Sequence, residues 1–188
     1  VSGSTHQTTT QLHVRLERIA DGPLLESGEE LSLHIGTSDH LVRFTFLGNP
    51  NDSQTGILYA RLTSLEPMIC FSGQTFVLRK PGLHGQGTVA GGMVLDIAPS
   101  SGKGSYARWG KIVQQLDTDD MGQKILAYAK DARHLGLSEK QLSLRMSPLH
   151  AYGDDLEKLI NEDRLLRFSN KGEQWLILPE CITEVEDR

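Results

Sequence analysis

The 188-residue sequence lacks most features that announce a function. No apolar run approaches the roughly 20 residues a membrane-spanning helix needs. The polar start, VSGSTHQTTT, has no apolar core of a secretory signal, and the reading is therefore a cytoplasmic protein with no membrane partner. The two cysteines, Cys70 and Cys181, are far apart and lack Cys-x-x-Cys spacing, which predicts unpaired thiols in a reducing cytosol. Excess positive charge is lacking too. The net charge is −5, with 6 basic against 9 acidic residues in 1–98 and 13 against 15 in 99–188. Any nucleic-acid contact must then come from a local patch rather than a global field. There is no Gly-x-x-x-x-Gly-Lys-Ser/Thr phosphate loop and no Gly-x-Ser-x-Gly nucleophile turn. The seven histidines match no zinc spacing; His34 and His40 flank IGTSD without a third ligand. The expectation is no catalytic residue, no metal and no cofactor within these residues.

What is present has two textures. Up to Pro99 the apolar residues alternate, as strands with one buried face require. QLHVRLERI sets Leu12, Val14 and Leu16 against His13, Arg15 and Glu17, and ELSLHIG, HLVRFTFLG, GILYARLTSL, TFVLRK and TVAGGMVLDI follow. Turn signals such as Asp21-Gly22-Pro23 and Gly48-Asn49-Pro50 separate them. Six short strands predict an all-β six-stranded barrel over residues 1–99, with a two-sheet sandwich as the alternative.

After the polar, glycine-rich SSGKGS the period becomes helical. YARWGKIVQQL forms a short amphipathic helix, so residues 100–116 read as a linker carrying that helix. Three helices follow. The first has its N-cap among Asp117, Thr118 and Asp119 and ends at Gly136; the second opens on a capping-box spacing, Ser138 to Gln141; the third is GDDLEKLINEDR. Two strands around Ser169-Asn170-Lys171-Gly172 then complete an α+β winged helix over residues 117–180. Residues 181–188 read as the start of a connection to a further domain.

Two motifs invite a nucleotide. Gly85–Ala90 satisfies G-x-G-x-x-A, but VAGGMVLDI follows it where a dinucleotide fold needs a helix, and the glycines read as a wide turn and a close strand crossing. Asn170-Lys171-Gly172-Glu173 resembles a guanine-reading element but sits in a hairpin turn. The third helix carries Asp154, Asp155, Glu157, Glu162 and Asp163 against Lys158 and Arg164, which opposes groove binding. Candidate backbone contacts lie elsewhere: Lys103, Arg108 and Lys111 near the first helix, Arg167 and Lys171 at the hairpin, and Arg79, Lys80 and His84 at the last barrel turn. Solvated surface charge is the other reading of these cations.

FVLRKPGLHGQGTVAGGMVLDIAP resembles the end of the third domain of translational GTPases such as elongation factor Tu, through Arg79, Gly82, Thr88-Val89, Gly91-Gly92 and Val94. It is more similar to the bacterial selenocysteine-specific elongation factors, which also share an LHxGT strand end (here Leu33–Ser38) and continue from the barrel into winged helices. Two departures are Lys80-Pro81, where the family more often has an acidic residue, and the GLHGQG segment, which is long relative to elongation factor Tu. The resemblance implies a fragment comprising the third barrel domain and the first winged helix. The parent would bind GTP and Mg, carry selenocysteinyl-tRNA to the ribosome at UGA codons, and meet an mRNA hairpin through later winged helices. This piece would be a non-enzymatic scaffold, its barrel touching tRNA at Arg79, Lys80, His84, Thr88, Gly91 and Gly92. The alternative is a DNA-binding winged-helix regulator, or a protein-interaction adaptor, with a barrel sensor.

Overall fold

A computed structural model describes residues 8–19, 24–48, 56–81, 87–100 and 106–186, with side chains to residue 182. Strands β1 (Thr8–Arg18), β2 (Glu30–Ile35), β3 (Ser38–Phe46), β4 (Ile57–Ile69), β5 (Thr75–Arg79) and β6 (Thr88–Asp96) follow the alternation in the sequence. Their order is β1-β4-β3-β2-β5-β6, and β1 pairs with both β4 and β6, so the sheet closes into an antiparallel barrel and the sandwich is ruled out. Leu12, Val14, Leu16, Leu31, Leu33, Phe44, Leu62 and Leu78 fill the interior, each buried side chain contributing roughly 1.5–3 kcal/mol of transfer free energy.

Strand β6 breaks the alternation twice. The register jumps between Leu78 and Arg79 on β5, leaving Val89 as an extra residue, and between His13 and Val14 on β1, leaving Leu95 extra. A bulge re-aims the side chains beside it. Val94 stays in the barrel core, whereas Leu95 joins a second core outside the barrel.

That second core gathers helices α1 (Tyr106–Leu116), α2 (Met121–Ala132), α3 (Glu139–Arg145) and α4 (Gly153–Asn161) with a small sheet. The sheet has the order β7-β9-β8, from β7 (Leu137–Ser138), β8 (Leu166–Asn170) and β9 (Glu173–Ile177). Helix α1 buries Trp109, Ile112, Val113 and Leu116 in this core, which also takes in Leu47 and Leu95 from the barrel. Gly110 permits the close approach: a Cβ there would stand 3.1 Å from the Leu47 carbonyl oxygen.

Two local expectations change. The N-cap of α2 is Asp120, whose carboxylate accepts from the Gln123 N–H, not one of the three preceding residues. The helix stops at Ala132, and a single 3-10 turn, Arg133–Leu135, carries the chain to Gly136. The described part of the segment from residue 181 lies in helix α5 (Pro179–Glu186). The capping box at Ser138 and Gln141 forms with both of its hydrogen bonds, and Lys171 and Gly172 turn the hairpin with positive φ.

Candidate nucleic-acid interface

The β2–β5–β6 register sets Arg79 between Ser32 and Thr88, half-buried on the outer barrel wall. Lys80 is already engaged. Its Nζ donates to Glu29 Oε1 at 2.8 Å and to the Leu24 carbonyl at 3.2 Å, and its backbone N–H donates to Gly87. Gly91 lies opposite Val77 with room around it, but Gly92 faces inward between Leu16 and Phe76. A Cβ at Gly92 would fall on the Arg15 carbonyl oxygen and 2.6 Å from Phe76 Cζ, so this glycine admits the Phe76 ring to the core. His84, Gly85, Gln86 and Lys103 lie outside the described residues. Thr88–Ala90 opens a strand rather than a helix, in keeping with an architectural role for the glycine motif.

The remaining candidates sit on other elements. Arg108 on α1 donates to Ser100 Oγ at 3.3 Å and faces the Asp131 carboxylate at 3.6 Å. Arg167 on β8 is clamped by Glu139 and Glu157, each at 2.6 Å. Lys111 and Lys171 are exposed and make no ion pair among the described residues. Long-range partners invisible as sequence neighbours therefore hold three of the predicted cations: Lys80, Arg108 and Arg167. Among the described residues no three His, Cys, Asp or Glu side chains gather as metal ligands. A cavity of about 490 Å³ between α1, α2 and the start of α5 mixes Lys130 and Arg164 with Asp163 and Glu180.

Sequence reasoning missed the most concentrated chemistry, at the seam between barrel and helices. The bulge at Leu95 leaves Asp96 fully buried at the end of β6. Arg145, at the end of α3, donates to both Asp96 oxygens, at 3.0 and 2.5 Å, and to Asp131 on α2 at 2.9 Å. Burial alone would raise the Asp96 carboxyl, but the charge and hydrogen bonds of Arg145 outweigh it and hold it below the usual carboxylate range. Burial likewise works against the Arg145 cation, and the two aspartates overcome it. The Tyr128 hydroxyl shares its one proton between the Leu95 and Arg145 carbonyl oxygens, at 3.0 and 3.1 Å, and burial pushes its phenol far up.

Beside this trio, Arg61 lies over the Trp109 ring at 3.7 Å and donates to His13 Nε2 at 3.1 Å. That bond assigns the His13 proton to Nδ1, which is buried and has no hydrogen-bond partner among the described residues. Burial, aided by Arg61 and opposed by Asp96, lowers the His13 pKa to about 4. The outer contact is Asp117, which accepts from the Tyr59 hydroxyl at 2.8 Å and lies 3.6 Å from Arg15. The seam is thus a buried, almost fully paired polar layer that sets how the two units meet. The signal was present in the sequence: Asp131 and Arg145 each fall on the apolar stripe of their helix, three residues beyond Tyr128 and Leu142.

The closed six-stranded antiparallel barrel, with its helical companion and small three-stranded sheet, is a fold shared with solved structures. No family model and no curated protein matches the chain. Among solved structures it is similar to a bacterial selenocysteine-specific elongation factor, EF-Sec, with a TM-score of 0.64 and 15% identity. The match covers 96% of this chain and 26% of that one, so the chain spans about a quarter of the factor it resembles.

Proposed function

We propose that this chain is the third-barrel and first winged-helix segment of a selenocysteine-specific elongation factor, serving as a tRNA-contacting and spacer scaffold. One observation carries the reading: a single structural match to one such factor covers 96% of the chain, and so takes in both the barrel and the helical unit. In this reading α2, α3, α4 and the β8–β9 hairpin are the winged helix. GTP and Mg²⁺ are bound by a domain elsewhere in the factor, and the ribosome and mRNA hairpin are partners of the whole assembly. The barrel wall at Arg79 and Thr88 meets the tRNA backbone, since Arg79 makes no ion pair among the described residues. The winged helix holds the barrel at a fixed distance from the rest of the factor. Its α4 supports a spacer role, because Asp154 and Asp155 in its first turn make no ion pair among the described residues and would repel phosphates from a groove.

The test is selenocysteinyl-tRNA binding by the intact, GTP-loaded factor. Arg79→Ala is expected to weaken it about ten-fold, the scale of one charge-assisted hydrogen bond. Unchanged affinity would remove this wall from the tRNA site. Lys80→Ala is a less clean probe, because it also strands Glu29.

A further inference from the structure

The small sheet carries an aromatic face that the proposed function does not use. Leu176 and Leu137 point to the helices and are buried, so their neighbour Trp175 points to the opposite side of the central strand β9. Phe168 on β8 stands directly across from Trp175 and is 42% exposed. Both rings border Gly136: a Cβ built there would lie 3.5 Å from Trp175 and 3.8 Å from Phe168. The residue before it, Leu135, is 74% exposed. Two cross-strand rings and a leucine thus form one apolar surface on the side away from the core.

Basic residues adjoin it. Arg133 is exposed in the turn leading to Leu135, where it is held in the left-handed region at φ 53°. Lys171 sits at the hairpin tip, three residues beyond Phe168, which is about 10 Å along a strand. Arg133 and Lys171 make no ion pair among the described residues, in contrast to Arg167 on the helix side of the same hairpin. Glu173 shares the aromatic face, two residues from Trp175, and is the carboxylate that opposes an anion there.

We infer that this face binds unpaired RNA, bases stacking on Phe168 and Trp175 while Arg133 and Lys171 meet phosphates. Flat rings in a cationic frame fit single strands of any sequence, since every base has a π-face. The inference goes beyond the tRNA-contacting barrel and uses the opposite side of the small unit from α4. The choice of RNA over DNA alone rests on the proposed role in translation.

The experiment uses the 188-residue chain with fluorescent 12-mer oligouridine, read by anisotropy and by tryptophan quenching. Trp109 is buried beneath Arg61, so quenching reports on Trp175. Salt-dependent binding is expected, weakened about ten-fold or more by Phe168→Ala, a change at an exposed position that leaves the core intact. Trp175→Phe should retain binding but lose the quenching. Lys171→Gln should reduce the slope of log affinity against log salt by about 0.7, and Glu173→Gln should tighten binding. Absence of binding at 50 mM salt, as a protein-docking face would give, overturns the inference. So does binding indifferent to Phe168→Ala. None of these outcomes touches the Arg79 experiment on the intact factor.

Discussion

Two arginines in this protein make the same bonds in opposite surroundings. Arg145 clamps Asp96 and Asp131, at 2.5 and 2.9 Å, inside the seam, and Arg167 clamps Glu139 and Glu157, each at 2.6 Å, on the rim of the small sheet. Distances alone would rank them equal. Solvent separates them. The Arg145 side chain is 7% exposed and its partners 1% and 3%, whereas Arg167 and its partners are 29%, 34% and 56% exposed. A charge in the seam has no water to return to if its partner is lost; a charge on the rim has. The buried trio therefore dictates how the barrel and the helices meet, and the exposed one only decorates a hairpin.

The largest effect should come from breaking the seam. Arg145→Ala leaves two buried carboxylates without a cation and is expected to cost about 3–5 kcal/mol, read as a lower urea midpoint. Replacing Arg145, Asp96 and Asp131 together with apolar residues of similar volume should recover much of that loss. If the triple replacement were as damaging as the single one, the trio would be a net source of stability rather than a device that fixes the orientation of the two units.

Acid should act on the same seam by a different group. His13 is neutral in the fold, with its pKa lowered from 6.5 to about 4, so the unfolded chain binds the extra proton between those values. Stability then falls as pH drops from 6.5 to 4, by about 3 kcal/mol when complete. The depressed Asp96 carboxyl loses its contribution at still lower pH, in the same direction. Urea midpoints at pH 7.5 and 4.5 should differ in the native protein, and by clearly less in His13→Gln, whose amide oxygen can still accept from Arg61. An equal drop in both would place the acid sensitivity elsewhere.

The barrel strands were legible in the sequence because alternation has a single explanation: Leu31, Leu33 and Ile35 fit one face of a strand and nothing else, whereas closure over a sandwich came only from the pairing of β1 with both β4 and β6. The helices and their capping box were legible for the same local reason. The seam was legible only in part: the apolar stripes mark Asp131 and Arg145 as buried, but its members are 35 and 14 residues apart, and nothing local says that they pair with one another and with Asp96. The bulge at Leu95, which turns Asp96 inward, is a property of pairing between strands, not of either strand alone. The partners of the candidate cations were hidden by the same gap. Lys80 is spent on Glu29, 51 residues away, and Arg167 on Glu139, 28 residues away. Sequence distance hides which charges are already neutralised.

The smallest effect isolates the other side of the comparison. Arg167→Ala removes bonds as short as those of Arg145 but leaves Glu139 and Glu157 to water, so the loss should be about a fifth of the Arg145→Ala effect or less. The pairing does leave an electrostatic trace: the hydrogen bonds from Arg167 hold the Glu157 carboxyl below its ordinary value. That trace, followed as the Glu157 titration in a carboxyl NMR experiment, should relax toward the ordinary range in Arg167→Ala. It should also relax in the native protein as salt is raised from 0.05 to about 1 M, where the Debye length shrinks to roughly 3 Å. The seam should not respond to salt in this way, since no screening ions reach Asp96. A urea midpoint in Arg167→Ala displaced as far as in Arg145→Ala would mean that the hairpin is anchored as firmly as the seam, and that exposure is a poor guide to which of this protein's ion pairs matter.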